Sequence, residues 1–183
     1  MPNNPEEVEI DNFLGIFILS ARRYWGWLAI CLLLTVLLIV WFTRNWRIAI
    51  DPQAETCIDA RILLIDLNDR KPVKGALYAF HSPTTASPVY KAGTRMIKRA
   101  AGGPGDVVVI DSNENIMING HLVGKGFFHL KTTDPVVRRK FYGQRTVGAG
   151  RWWMMGDAPS SFDSRYWGSL PEENIYGRAY VLF

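Results

Sequence analysis

Hydrophobic and polar positions change their spacing near residue 47 and divide the chain in two. On the N-terminal side, Tyr24 to Phe42 reads YWGWLAICLLLTVLLIVWF, nineteen residues without a charge. A helix of that length covers roughly 28 Å at about 1.5 Å per residue, near the thickness of a bilayer's hydrocarbon core. Tyr24, Trp25 and Trp27 flank one end and Trp41 and Trp46 the other, where amphipathic rings settle at membrane interfaces. The pattern predicts a single transmembrane anchor over 24–43. A buried core helix fits poorly, since it needs neither the uncharged length nor an aromatic belt at each end. A cleaved signal peptide also fits poorly, because the apolar run is too long and WFTRNW offers no small-x-small cleavage site. Upstream, Ile10, Phe13, Leu14, Phe17 and Ile18 recur at helical spacing behind Glu6, Glu7, Glu9 and Asp11. Residues 1–23 therefore read as an amphipathic interfacial segment, with a tilted extension of the span as the alternative. Arg22 and Arg23 before the span balance Arg44 and Arg47 after it, so charge alone leaves the orientation open.

Beyond residue 47 the apolar runs shorten and turn residues separate them. ARILLID (60–66), GALYAF (75–80), DVVVID (106–111), NIMIN (115–119), RWWMM (151–155) and GRAYVLF (177–183) are strand-sized and rich in β-branched and aromatic side chains. Asn119-Gly120 between IMI and HLV is a two-residue hairpin signal, and DSNEN (111–115) supplies another turn. These spacings predict a mainly β domain over 44–183, a partly closed barrel of coiled β-sheets whose closure removes exposed edges. The Pro/Ser/Thr-rich stretch 82–93 reads as a mobile loop, and 131–150 as an irregular insertion loop. The Arg138-Arg139-Lys140 run within the latter reads as a solvated face, with contact to anionic lipid or a partner as the alternative.

Composition narrows the picture further. A length of 183 residues suits one domain with appendages, and the net charge of +4 comes with no nucleic-acid motif and no internal repeat. Of the two cysteines, Cys31 falls mid-span and Cys57 outside it, too far apart for a bridge within the chain. The three histidines, His81, His121 and His129, are scattered and read as surface or loop residues. No Cys/His spacing suggests a metal, and no cofactor is called for.

Two stretches differ from ordinary sheet sequence. In MIKRAAGGPGDVV (96–108) a lysine, Lys98, sits among apolar residues ahead of a glycine-rich turn; taken alone it reads as a surface lysine on a strand. In MMGDAPSSFDSRYWGSLPEENIYGRA (154–179), Gly, Asp, Ser and Arg crowd between two apolar strands, an arrangement that demands mutual hydrogen bonding. Asp163 and Arg165 are spaced to form a charge-assisted pair that stiffens the loop. Together with KPVKGALYAFHSP (71–83), these stretches resemble the signature boxes of the signal peptidase I superfamily, most nearly its TraF-type conjugative-transfer members. The resemblance covers most of 51–183 together with the single N-terminal span. It implies a signal-peptidase-like fold and a serine/lysine dyad protease working at the exoplasmic face of the bacterial inner membrane. The N-terminus is then cytoplasmic and the domain periplasmic.

Carried over position by position, the resemblance makes Lys98 the general base and Ser161 the residue that orients it. Asp163 and Arg165 fall on the supporting ion pair, and Gly156 and Asp157 on the loop beneath. The nucleophile departs from the pattern: Cys57 stands where serine is expected, and no serine lies between Arg47 and Lys74. Asp59 stands where proline is expected. A thiol ionises far more readily than a hydroxyl, and a neighbouring ammonium favours the thiolate, so a Cys57–Lys98 dyad is chemically sound. Glu55 occupies the position of an oxyanion-stabilising hydroxyl and would repel an oxyanion; Thr56 is the alternative donor. Thioesters favour attack by amines over water, which suits a peptidase that closes its product into a ring.

The reading is an endopeptidase that matures, by cleavage or cyclisation, a membrane-inserted pilin or secretory precursor through Cys57 and Lys98. The alternative is a catalytically inactive peptidase-fold scaffold that binds extended peptides in a pilus assembly system. A housekeeping leader peptidase is a third reading, opposed by the short domain and the missing serine. The partners implied are the precursor and the lipid bilayer, not nucleic acid; the sequence leaves the oligomeric state open.

Overall fold

The computed structural model of the chain describes residues 5–51, 57–83, 91–130 and 135–183. Two units separate, Met1–Arg44 and Asn45–Phe183. In the first, helix α1 (Pro5–Asn45) runs without interruption through Arg22 and Arg23. Its side chains from Tyr24 to Phe42 are exposed, an unbroken apolar surface that is costly in water and neutral in hydrocarbon. Tyr24–Asn45 is long and apolar enough to cross a membrane. Its two threonine hydroxyls are satisfied internally: Thr35 Oγ1 donates to the Cys31 carbonyl at 2.8 Å and Thr43 Oγ1 to that of Val40 at 3.2 Å.

The second unit begins with β1 (Trp46–Ile50), followed by β2 (Ile62–Asp66), β3 (Leu77–His81) and β4 (Arg95–Gly102). Next come β5 (Val107–Ile110), β6 (Asn115–Ile118), β7 (His121–Lys125), the short helix α2 (Pro135–Arg139) and β8 (Gly143–Thr146). Strand β9 (Arg151–Met155), helix α3 (Ser164–Trp167), β10 (Leu170–Pro171), a 3₁₀ turn (Glu172–Asn174) and β11 (Ile175–Val181) complete it. A seven-stranded sheet has the order β1-β2-β11-β3-β4-β9-β10 and a four-stranded sheet the order β7-β6-β5-β8, with every pairing antiparallel. The mainly β architecture expected from the short alternating runs is the one the chain adopts.

Alternation explains how each sheet acquires its core. In β5 and β6 every second residue is buried, and the register Val108↔Ile118 and Ile110↔Ile116 puts all four on one face. They pack with Phe127, Val147, Trp153 and Met155. Each such aliphatic contributes about 1.5–3 kcal/mol on burial. The seven-stranded sheet uses both faces. Leu63, Ile65, Leu77, Ala79 and Ala179 form one cluster with Ile58 and Ala60, while Tyr78, Phe80, Ala100, Trp152, Met154, Leu170 and Ile175 form another. The Asn119-Gly120 turn takes the left-handed backbone its sequence calls for, with φ of 51° and 82°.

Cys57 sits in a bend at 57–59 between β1 and β2, ahead of the strand that starts at Ile62. Two expectations need correction. The segment 131–150 is not an irregular insertion loop: it carries α2 and also β8, which pairs with β5 from Val107↔Thr146 to Ile110↔Gly143. Its polar Gly-Gln-Arg-Thr sequence hides a strand whose stability comes from ladder hydrogen bonds on a sheet edge. Lys98 is not a surface lysine. It is 4 % exposed, within a strand of eight residues. Most of the loop expected at 82–93 lies outside the described residues, as do residues 131–134.

Candidate active site

One face of the seven-stranded sheet floors a groove of about 710 Å³. Ala49 of β1, Leu63 and Ile65 of β2, Ile97 of β4 and Tyr176 of β11 supply its apolar floor, and the bend carrying Cys57, Ile58 and Ala60 lies along it. Strand β9 pairs with β4 only from Arg99 onward, so among the described pairings the β4 edge over Arg95–Lys98 is open on that side. Lys98 lines the groove there, opposite Tyr78 in the β3–β4 ladder. Cys57 and Lys98 thus share one groove. Among the described residues Lys98 has no ion pair and no side-chain hydrogen bond.

The loop after β9 holds the Cys57 backbone. The Cys57 carbonyl accepts from the Asp157 N–H at 2.9 Å and from that of Ala158 at 3.3 Å. Gly156 is tight against the same group. A Cβ there would lie 3.0 Å from the Cys57 carbonyl oxygen and 2.5 Å from Ser161 Cβ, so no larger residue fits without moving the bend. The Asp157 carboxylate is gripped from β4 by Arg99, whose Nε and Nη2 donate at 3.0 and 2.8 Å. Arg99 also donates from Nη1 to the Gly75 carbonyl at 2.8 Å. The paired hydrogen bonds raise the Arg99 guanidinium above its ordinary value, against the smaller opposing effect of burial.

Below this loop lies a buried ion pair. Arg165 donates from Nε and Nη2 to Asp163 at 2.8 and 3.0 Å, and both side chains are fully enclosed. The Asp163 carboxylate also accepts the N–H groups of Gly156 at 3.0 Å and Arg165 at 3.2 Å, capping α3. Arg165 Nη1 reaches the carbonyls of Gly126 and Pro159, both at 3.1 Å. Ser164 Oγ accepts from the Met154 N–H at 2.8 Å. The charged pair and its neighbouring backbone groups thus satisfy one another, which is how the segment tolerates their burial. Phe162, a wall of the groove, stacks on Tyr166 with centroids 4.9 Å apart.

Ser161 and the Trp167 indole are not satisfied in this way, and of the two Ser161 bears on the site. Its hydroxyl is completely buried and makes no hydrogen bond, so the bond to Lys98 implied by the resemblance is not formed. Thr56 and Glu55, the oxyanion candidates, lie outside the described residues. Of the histidines, His81 lines the groove with its ring 4.9 Å from that of Tyr176. Half-buried His129 meets the Ser160 carbonyl through Nε2 at 2.6 Å. Sequence reasoning passed over Arg99, Phe162 and Tyr176. Arg99 had a signal in the text, a second cation directly after Lys98 on alternating strand positions. Phe162 and Tyr176 had none.

The turn leading from β4 to β5 is organised by Asp106. Its carboxylate accepts from Lys74 Nζ at 2.7 Å, the Gly103 N–H at 2.7 Å and Asn119 Nδ2 at 2.8 Å. Burial pushes this carboxyl up, and the three hydrogen bonds pull it further down, leaving it below the usual carboxylate range.

Residues 21–183 match the family model described as "Signal peptidase, peptidase S26". A signal peptidase I of Pseudomonas fluorescens is 30 % identical over 159 residues, covering 69 % of this chain and 52 % of that protein. A probable signal peptidase I-2 of Synechocystis is 33 % identical over 115 residues, covering 62 % of this chain and 49 % of that protein. The chain therefore spans about half the length of these curated relatives. Among solved structures, a signal peptidase I from Enterococcus faecalis V583 is similar at 25 % identity and a TM-score of 0.38, over 62 % of this chain and 97 % of that one.

Proposed function

The chain belongs to the signal peptidase family, peptidase S26, and from that premise we propose that it is a membrane-anchored endopeptidase of TraF type with a Cys57–Lys98 dyad. The observation that carries this reading is the placement of Cys57 and Lys98 along one groove, with the Cys57 carbonyl held by the Asp157 and Ala158 N–H groups. The Cys57 thiolate attacks the scissile carbonyl, and the C–N bond breaks as the Lys98 ammonium gives its proton to the leaving amine. Water then attacks the thioester and returns a proton to Lys98, freeing Cys57 and a carboxylic acid. When an α-amino group attacks instead, the same proton returns and the product is a new amide. The substrate is a small conjugative pilin precursor, and the amide route closes it into a ring. The anchor spans the bacterial inner membrane over 24–43, with 1–23 on the cytoplasmic side and the catalytic domain over 44–183 in the periplasm.

Precursor processing by wild type, Cys57→Ser, Cys57→Ala and Lys98→Ala tests this. Cys57→Ala and Lys98→Ala are expected to lose at least 100-fold in rate, in line with loss of a nucleophile or proton-transfer group. Processing by Cys57→Ala at the wild-type rate would remove Cys57 as nucleophile, and a product that is only linear by mass would remove cyclisation. The scaffold reading draws on the Ser161 hydroxyl, which leaves Lys98 without its orienting bond. It predicts peptide binding without turnover in all four proteins.

A further inference from the structure

The groove has an unbalanced set of charges. Its described ionisable lining includes Arg47, Arg95 and Lys98 against a single carboxylate, Asp51. Arg95 stands apart within this set. It is exposed at the start of β4, opposite His81 in the register, and has neither ion pair nor side-chain hydrogen bond among the described residues. Alternation along the strand puts Arg95 on the same pleat as Ile97, whose side chain packs with the floor cluster. Tyr176 closes the other side. Burial raises its hydroxyl above the ordinary value, and the Arg95 charge acts in the opposite direction. His81 lies against Tyr176 and meets the Gly93 carbonyl through Nδ1 at 3.2 Å. The result is a cation on an apolar and aromatic floor, facing open space within the groove.

We propose that Arg95 is a specificity-determining residue that binds an acidic side chain of the peptide held in this groove. The proposal rests on the reading of the groove as the peptide site. Lys98 follows Arg95 by three positions along β4, about 10 Å at the rise of an extended chain. A peptide lying extended along the groove advances by the same rise, so its acidic side chain falls about three residues from the bond that is cleaved. A carboxylate there meets a guanidinium able to take it in bidentate fashion, while neighbouring aliphatic side chains rest on Ile97, Leu63 and Ile65.

The test uses the full-length chain carrying Cys57→Ala in detergent micelles. Its probes are fluorescein-labelled decapeptides of alanine and valine that carry one glutamate at successive positions, each with a glutamine counterpart. Fluorescence anisotropy is expected to show one glutamate position binding about fivefold more tightly than its counterpart at low salt, with the margin shrinking at high salt. Arg95→Gln is expected to erase that margin, and Arg95→Glu to transfer the preference to a lysine at the same position. A glutamate preference that survives Arg95→Gln overturns the proposal. Measurable but equal binding of every peptide overturns it too, while leaving the groove reading in place; failure of every peptide to bind overturns both. With Cys57 restored, mass spectrometry is expected to place cleavage about three residues from the preferred glutamate, and a cut elsewhere overturns that placement.

Discussion

Asp163 and Arg165 illustrate how a single residue pair sets the cost of the whole loop. Two charges removed from water are costly, and here the cost is offset because the Asp163 carboxylate and the Arg165 guanidinium are both heavily hydrogen-bonded by partners on three segments. Removing one partner leaves the other charge buried without compensation. Asp163→Ala is therefore expected to lower unfolding free energy by about 3–5 kcal/mol, whereas Asp163→Leu with Arg165→Met loses less. Urea unfolding of the full chain in micelles measures both, and an Asp163→Ala loss below about 1 kcal/mol would refute the argument. Gly156 belongs to the same scale: its missing side chain is what lets Ser161 and the Cys57 carbonyl approach.

At the level of elements, the junction between β4 and β5 depends on Asp106, which ties the Gly102–Gly105 turn to Lys74 and to Asn119 of the β6–β7 hairpin. A carboxyl held below its ordinary range binds fewer protons in the folded chain than in the unfolded one. Its contribution is complete above about pH 4 and disappears as pH falls through the lowered folded value. Asp106→Asn is expected to cost about 2 kcal/mol near neutral pH, the scale of hydrogen bonds to a charged group. The gap between the two proteins should close in acid. Denaturant titrations from pH 7 down to about 2.5 follow it, and a gap that stays constant would mean the carboxylate charge plays no part.

For the whole molecule, the two free cysteines provide a test of the proposed orientation. Cys57 is half-buried at the groove, and Cys31 lies on the exposed apolar surface of α1. A membrane-impermeant maleimide added to intact spheroplasts is expected to modify Cys57 and leave Cys31 untouched, with Cys57→Ser as the unlabelled control. Labelling that requires lysis would place the second unit on the cytoplasmic side.

Some of this was determined by the sequence alone. An uncharged run of bilayer length folds as a helix whatever surrounds it, because its backbone can satisfy itself. The β-branched run VVVI, the turn DSNEN and the run NIMI, followed by Asn-Gly before HLV, leave little choice but consecutive hairpins. Local pattern reports which side of its own element a residue takes, and that much was legible. It does not report which elements become neighbours. The insertion of β11 between β2 and β3, and the meeting of β4 with β9, come from burial of faces far apart in the chain. Only that arrangement brings Arg99 to Asp157, 58 positions away, and lays the Cys57 bend against the Gly156–Ala158 loop. It also buries Ser161 without a partner and leaves Arg95 open in the groove, because side-chain surroundings are set by packing between elements rather than by spacing within one.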